Sequence, residues 1–183
     1  MIPTPTLTTQ RLILRPLELA DHEQAQQLFP QWEVVRYLRH QVPWPYPADG
    51  AYIYYRDVAL PQMTRGEAWS WNIRLKTAPE QLIGSISLMK DEDENRGFWI
   101  APPWQGQGFA KEAADAVTDF WFDVLGFERL RIPKAAENIA SRRVSEKQGM
   151  KLVATEYRQY VGGRFLTEIW EITRDEWHAR RKS

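Results

Sequence analysis

PPWQGQGFAKEA, residues 102 to 113, follows an alternating apolar segment (RGFWIA, 96–101) and runs into an alanine-rich one. The first reads as a strand. In the second, Phe109, Ala113, Ala116, Val117, Phe120 and Val124 fall on one helical face, and Gly126 supplies a C-terminal stop. Between them stand two glycines and two glutamines with little bulk. The first N–H groups of a helix have no intrahelical acceptor, and together with the helix dipole they favour a phosphate-type anion. Gly106 and Gly108 permit positive φ and let an oxygen approach the main chain unobstructed. Lys111 adds a cation. A ligand-free tight turn is the other reading of the same residues. The stretch is neither a P-loop nor a dinucleotide GxGxxG, so the candidate cradle is the run of main-chain amides from 105 to 111.

Working outward, RLILRPL (11–17) reads as a first strand, and Asp21 offers an N-cap to a short helix ending near Pro30. VPWPYPADG is a proline-broken aromatic loop, followed by a helix from about Gly50 to Leu60. AWSWNIRLK reads as a half-buried strand with Trp71, Ile73 and Leu75 on one side, QLIGSISLM as the next, and DEDEN as an acidic, solvated turn before RGFWIA. After the central helix come a strand RLRIP, a helix from Asn138 to Gly149, and closing strands over about Met150 to Tyr157 and Leu166 to Thr173. This order predicts an α/β (α+β) chain whose sheet is mixed and mostly antiparallel, with helices on both faces.

The 183 residues, 43% hydrophobic and 26% charged, suit one soluble globular domain spanning 1–183. A formal net charge of zero gives no surface-wide attraction for nucleic acid or an anionic membrane. The chain has no cysteine, which removes disulfides, thiolate metal ligands and a cysteine nucleophile, and suits a cytoplasmic protein. His22, His40 and His178 have no ligand spacing, so no metal is expected. No apolar run approaches the roughly 20 residues of a membrane span, and no leader is visible. Nine tryptophans either fill the core or line a cleft.

Gln105-x-x-Gly108-x-Ala110 matches the Gln/Arg-x-x-Gly-x-Gly/Ala signature of the GNAT superfamily of N-acetyltransferases, whose loop grips the pyrophosphate of coenzyme A. ENIASRRVSEKQGM (137–150) resembles the Asn-x-x-Ser-x-x-x-x-x-Lys-x-Gly-Phe segment of the same superfamily. TQRLILRPL, PWPYP, LIGSISL and GFWIAPPWQGQGFAKEA look like the branch that acetylates ribosomal-protein N-termini. The similarity runs from about Leu7 to Trp177. It implies the GNAT fold with a splayed strand pair, acetyl-CoA as cosubstrate, and direct transfer to a primary amine.

The same resemblance assigns the parts. Phe98, Trp99, Ile100 and Ala101 would pair with the pantetheine arm, with the N–H of Trp99 or Ile100 polarising the thioester carbonyl. Gln105, Gly106, Gln107, Gly108, Phe109, Ala110 and Lys111 would hold the pyrophosphate. Asn138 is open to two roles, helix cap and ligand of the pantetheine amides. Ser141 stands where the family has a serine able to protonate the departing thiolate, or it is a structural serine at a helix start. Arg142, Arg143 and Lys147 either reach the 3′-phosphate or form a solvated face. For a general base, Glu168 ranks first and Glu94 second. Relatives place Glu where this chain has Asn95, and a carboxylate where it has Tyr160; water-relayed deprotonation is the remaining route.

The acceptor cleft is expected between residues 32–55 and a loop at 157–165, with His40, Trp44, Tyr46 and Tyr160 as aromatic walls. Such walls suit a peptide N-terminus or a small, partly apolar amine. A CoA-binding sensor or interaction module that kept the fold without turnover is the competing reading. The chain is expected to be a monomer or homodimer.

Overall fold

A computed structural model of the chain describes residues 1–181. Five antiparallel strands form one sheet in the order β1 (Leu7–Thr8), β2 (Leu12–Pro16), β3 (Ala68–Leu75), β4 (Ala78–Met89) and β5 (Arg96–Ile100). A second sheet has the order β6 (Arg129–Ala135), β8 (Gly163–Thr173), β7 (Lys151–Tyr160). Helices α1 (His22–Leu28), α2 (Trp32–Val35), α3 (Gly50–Tyr54) and α4 (Leu60–Thr64) fill the interval between β2 and β3. Helix α5 (Phe109–Asp119) joins β5 to β6, α6 (Ile139–Lys147) joins β6 to β7, and α7 (Arg174–Arg181) closes the described chain. This is the expected α/β architecture, with every described strand pair antiparallel and the strands divided between two sheets.

The two sheets meet at Asn95. Its N–H donates to the Arg131 carbonyl at 2.9 Å, and its Oδ1 accepts the Arg131 N–H at 2.8 Å. The side-chain amide also reaches the carbonyls of Met89 and Asp91. Beyond this rivet β5 and β6 belong to different sheets, which is the expected splay. Asn95, 5% exposed, is therefore a buried joint between the two sheets.

One core spans both sheets. Leu12, Leu14, Trp71, Ile73, Ile86, Leu88, Val117, Trp121, Leu130, Ile172 and Trp177 pack in it, most of them fully buried. Burying each large ring stabilises by roughly 3 kcal/mol.

Several expectations need correction. The β3 strand is buried on both faces, because Ser70, Asn72 and Arg74 are covered as well. Asp21 does not cap α1: its carboxylate turns to Arg74 at 2.8 Å and Asn72 at 2.9 Å, satisfying polar groups on the second face of β3. Val124 is exposed. The helix widens over Phe120–Val124, where Leu125 N–H bonds to the Phe120 carbonyl five residues back, and this shift buries Trp121 and Phe122 instead. Residues 157–165 are not a loop. They are the end of a hairpin with Tyr160 opposite Gly163, whose tip donates from Val161 and Gly162 to the carbonyls of Leu38 and Arg36. Helix α7 was not anticipated at all.

Candidate active site

The loop from Pro102 to Gly108 leaves β5 through a 3₁₀ turn, Pro102–Trp104. Gly106 and Gly108 have φ of 75° and 82°, and Gly108 caps α5 in the left-handed region. Gln105 N–H returns to the Pro102 carbonyl at 3.2 Å. The next six amides, Gly106 to Lys111, donate to no protein acceptor among the described residues; the first helical bond of α5 starts at Glu112. The loop carbonyls are held instead. Arg11 Nη1 donates to the Gln107 carbonyl at 2.9 Å, Gln105 Nε2 to that of Ile100 at 2.8 Å, and Gln107 Nε2 to that of Pro103. Glu112 anchors Arg11 through its backbone N–H and Nε, both at 2.8 Å, and receives the Thr9 hydroxyl. The frame is braced on its carbonyl side while its donors stay open, an arrangement that suits an anion.

Strand parity decides which groups of β5 are free. Met89 N–H bonds to the Asn95 carbonyl and Ala101 N–H to that of Ile83, so the backbone groups of the odd-numbered residues 97 to 101 face β4, while at Asn95 only the carbonyl does. The N–H groups of Phe98 and Ile100 therefore point away from β4, toward the opening beside β6. Ile100 thus fits the expected carbonyl-polarising position; Trp99 does not, because its amide belongs to the ladder with Ser85.

Helix α6 follows β6 directly. Asn138 is its cap, Oδ1 accepting the Ser141 N–H at 3.3 Å. Ser141 sits in that first turn, part-buried, and its carbonyl accepts from Lys134 Nζ at 2.8 Å. Arg142 does not face solvent freely: its Nε forms a 2.8 Å ion pair with Glu168, off the axis of a good hydrogen bond, and Nη2 lies 3.7 Å from Glu146. Glu168, 8% exposed, is thus an ion-pair partner, and the Trp170 indole N–H also approaches it. Arg143 and Lys147 are exposed, with no ion-pair partner among the described residues. Lys111 is committed to Asp115 at 2.6 Å.

A buried polar chain lies between α5 and α6. Arg96 Nη1 donates to Thr118 Oγ1 and Gln148 Oε1, and Gln148 Nε2 donates to Asp115. Burial lowers the Arg96 pKa to about 10, with Asp115 opposing. Lys134, 5% exposed, also donates to Ser145 Oγ. Burial, then the Arg96 charge, pushes its amine well below the usual lysine range.

Where the sequence leads us to expect the acceptor cleft, Arg39 forms an ion pair with Glu94, Nε lying 2.7 Å from Oε2. Arg39 bridges to Tyr160, whose hydroxyl shares a 2.6 Å bond with Thr167 inside the protein. Burial pushes the Tyr160 phenol up, with Thr167 opposing. Phe29 sits edge-on to both Tyr46 and Trp99, at 5.1 and 5.4 Å. Burial raises the Tyr46 phenol to about 12. Tyr54 is 47% exposed as a residue; desolvation raises its phenol pKa while Arg39 lowers it. Trp44 packs on Trp32, both half-exposed, and His40 is exposed.

Sequence reasoning missed Arg96, Lys134, Gln148, Arg39 and Phe29. Lys134 was legible in principle. It continues the inward alternation Leu130, Ile132, but the expected strand stops at Pro133.

YoaA of Bacillus subtilis (strain 168), an uncharacterized N-acetyltransferase, is 29% identical over 178 residues, covering 93% of this chain and 97% of YoaA. A RimL structure, ribosomal L7/L12 alpha-N-protein acetyltransferase in complex with coenzyme A, superposes with a TM-score of 0.78 at 17% identity, covering 92% of this chain and 98% of that one. Spermidine N-acetyltransferase from Vibrio cholerae, in complex with CoA and spermine, gives 0.74 at 20% identity, over 91% and 98%. The acetyltransferase (GNAT) domain model matches residues 11–151, from the first strand of the loop's brace to the start of β7. With splay, glycine loop and capped α6 all inside that match, the chain belongs to the GNAT acetyltransferase domain family.

Proposed function

We propose that the chain is an acetyl-CoA-dependent N-acetyltransferase, a single domain that moves the acetyl group directly onto a primary amine. The observation that carries this reading is the run of six amides without a protein acceptor, Gly106 to Lys111, opening beside the free edge of β5. A diphosphate offers the acceptors those donors lack. The bare loop of glycines leaves its approach unobstructed.

In this reading the amides of 106–111 bind the diphosphate, and the N–H groups of Phe98 and Ile100 pair with the pantetheine arm. Acetyl-CoA, when bound, supplies an activated thioester. Ile100 N–H donates to the thioester oxygen as charge develops there. The acceptor nitrogen forms its bond to the acetyl carbon while the carbon–sulfur bond breaks. Ser141 Oγ–H gives its proton to the departing sulfur and is reprotonated from water. The proton lost by the amine leaves through water on the Glu94 side, because Glu168 is sequestered with Arg142. The walls of Phe29, Tyr46, Tyr54 and Trp99 favour a peptide N-terminus or a small, partly apolar amine over a polyamine.

The test is acetyl-CoA-dependent thiol release with a panel of N-terminal dipeptides and arylalkylamines. Amine-dependent release supports the reading; heat of CoA binding in calorimetry with no release from any acceptor would replace it with a CoA-binding module. One observation favours that second reading: both candidate carboxylates, Glu94 and Glu168, are held in ion pairs.

A further inference from the structure

Ser141 is held by both of its backbone polar groups. Its N–H is taken by Asn138 Oδ1 and its C=O by Lys134 Nζ. The lysine comes from the far end of β6, the strand that has parted from β5, and lies almost wholly inside the protein. Its amine spans one turn of α6, from the Ser141 carbonyl to the hydroxyl of Ser145, which is fully buried. A buried amine beside a buried guanidinium is a costly way to pack a helix on a strand, and an apolar side chain of similar length would serve for packing alone.

We propose that Lys134 is a positioning residue for the transfer step: it holds the first turn of α6 by the Ser141 carbonyl and so fixes where the Ser141 hydroxyl stands. The proposal rests on the reading of Ser141 as the proton donor to the departing sulfur. It adds a residue that touches no substrate and acts through one that does.

The chemistry of the pocket agrees. A neutral amine has two N–H donors, matching the two acceptors, Ser141 O and Ser145 Oγ. Protonation would add a third N–H with no acceptor among the described residues. The charges around it are Arg96 from β5, Glu168 from β8, and Glu146 and Arg142 from α6, with Asp115 of α5 facing Arg96. Burial and the two guanidinium groups favour the neutral form, and the two glutamates oppose it. Acidification therefore loads a charge under the first turn of α6 and disturbs the grip on Ser141.

Lys134→Met keeps the length and removes both donors. Displacing a catalytic group by about an ångström costs up to roughly a hundredfold in rate, so kcat for thiol release should fall tenfold or more on that scale. The Kd for CoA in calorimetry should change by less than about twofold, since a fold of that size is a small free energy. In a Ser141→Ala background, adding Lys134→Met should cost nothing further, because the two act as one unit. Additive losses, or a rise in CoA Kd that matches the fall in kcat, would mark a packing role and overturn the proposal.

A second arm needs no turnover and uses the wild-type chain with CoA bound. Lysine ε-carbon and amide NMR should show the Ser141 amide shifting with the same midpoint as Lys134, below the ordinary lysine range. A Ser141 signal that ignores the Lys134 titration sinks the proposal. Absence of thiol release from wild type would instead count against the transferase reading, with the NMR arm still deciding the role of Lys134.

Discussion

The carboxylate of Glu168 lies 2.8 Å from Nε of Arg142, joining the last strand to α6. An inward carboxylate on β8 reads as a base from sequence, but here it neutralises a guanidinium beside the buried amine of Lys134. Glu168→Gln leaves Arg142 with only its 3.7 Å contact to Glu146, near other cations. Arg142 is a third exposed, so the loss is discounted for solvent to about 1–2 kcal/mol. Thermal or denaturant unfolding should show that loss. Turnover should stay far above the roughly hundredfold drop that removal of a general base brings; a drop of that size would restore Glu168 as the base.

Gly106→Ala isolates the strain in the loop. Its φ is 75° and an added Cβ meets nothing within 4 Å, so only the left-handed backbone is penalised. That penalty is roughly 1–2 kcal/mol, and relaxing it turns amides away from the ligand. CoA Kd should rise by up to about five- to thirtyfold by calorimetry. Gly126→Ala carries the same strain at φ 76°, far from the loop, and should lower stability while leaving CoA affinity unchanged. Equal affinity losses in both variants would mean that the loop conformation is not what binds.

Glu112 ties the N-terminal segment to the loop, and its pKa sets when that tie fails. Burial alone would raise its pKa, but the bonds from Thr9 and Arg11 outweigh it and the net shift is downward. A carboxylate depressed in the folded state stabilises above its unfolded pKa, near 4.5, and that stability is lost as pH falls through the folded value. Since Arg11 is 43% exposed, the difference between wild type and Glu112→Gln at neutral pH should be about 1 kcal/mol. The two unfolding curves should converge at acid pH. Parallel curves from pH 7 to 3 would show that the ion pair contributes nothing.

The fold was legible where pattern and punctuation agreed. Alternation in RGFWIA and LIGSISL, the glycine stops at 126 and 149, and the asparagine cap at 138 all act locally, and local physics places them. The central loop was legible for the same reason, since two glycines before an amphipathic run imply open amides. What was not legible depends on partners distant in sequence. Asp21 caps nothing because Arg74, on β3, claims it. Lys134, Arg96 and Gln148 are buried polar residues whose partners come from α5 and α6, and no spacing along the chain announces such a network. The rivet at Asn95 looked like a missing base until Arg131 appeared beside it.

The cations of the glycine loop and of α6 divide by whether they are already paired. Lys111 donates to Asp115, which is fixed in turn by Gln148, so it adds little free charge. Arg143 and Lys147 stand four apart on α6, exposed and with no ion-pair partner among the described residues. That spacing puts both on one helix face, where two donors can take one phosphate. An Arg143→Ala/Lys147→Ala variant should therefore bind CoA roughly tenfold more weakly, each exposed charge supplying up to about 1 kcal/mol. The deficit should shrink with added salt as the charges are screened. Against dephospho-CoA, which lacks the 3′-phosphate, the variant should match wild type. Lys111→Ala should affect both ligands alike and only slightly. If the double variant loses the same factor toward dephospho-CoA, the two cations do not read the 3′-phosphate and this face of α6 is simply solvated.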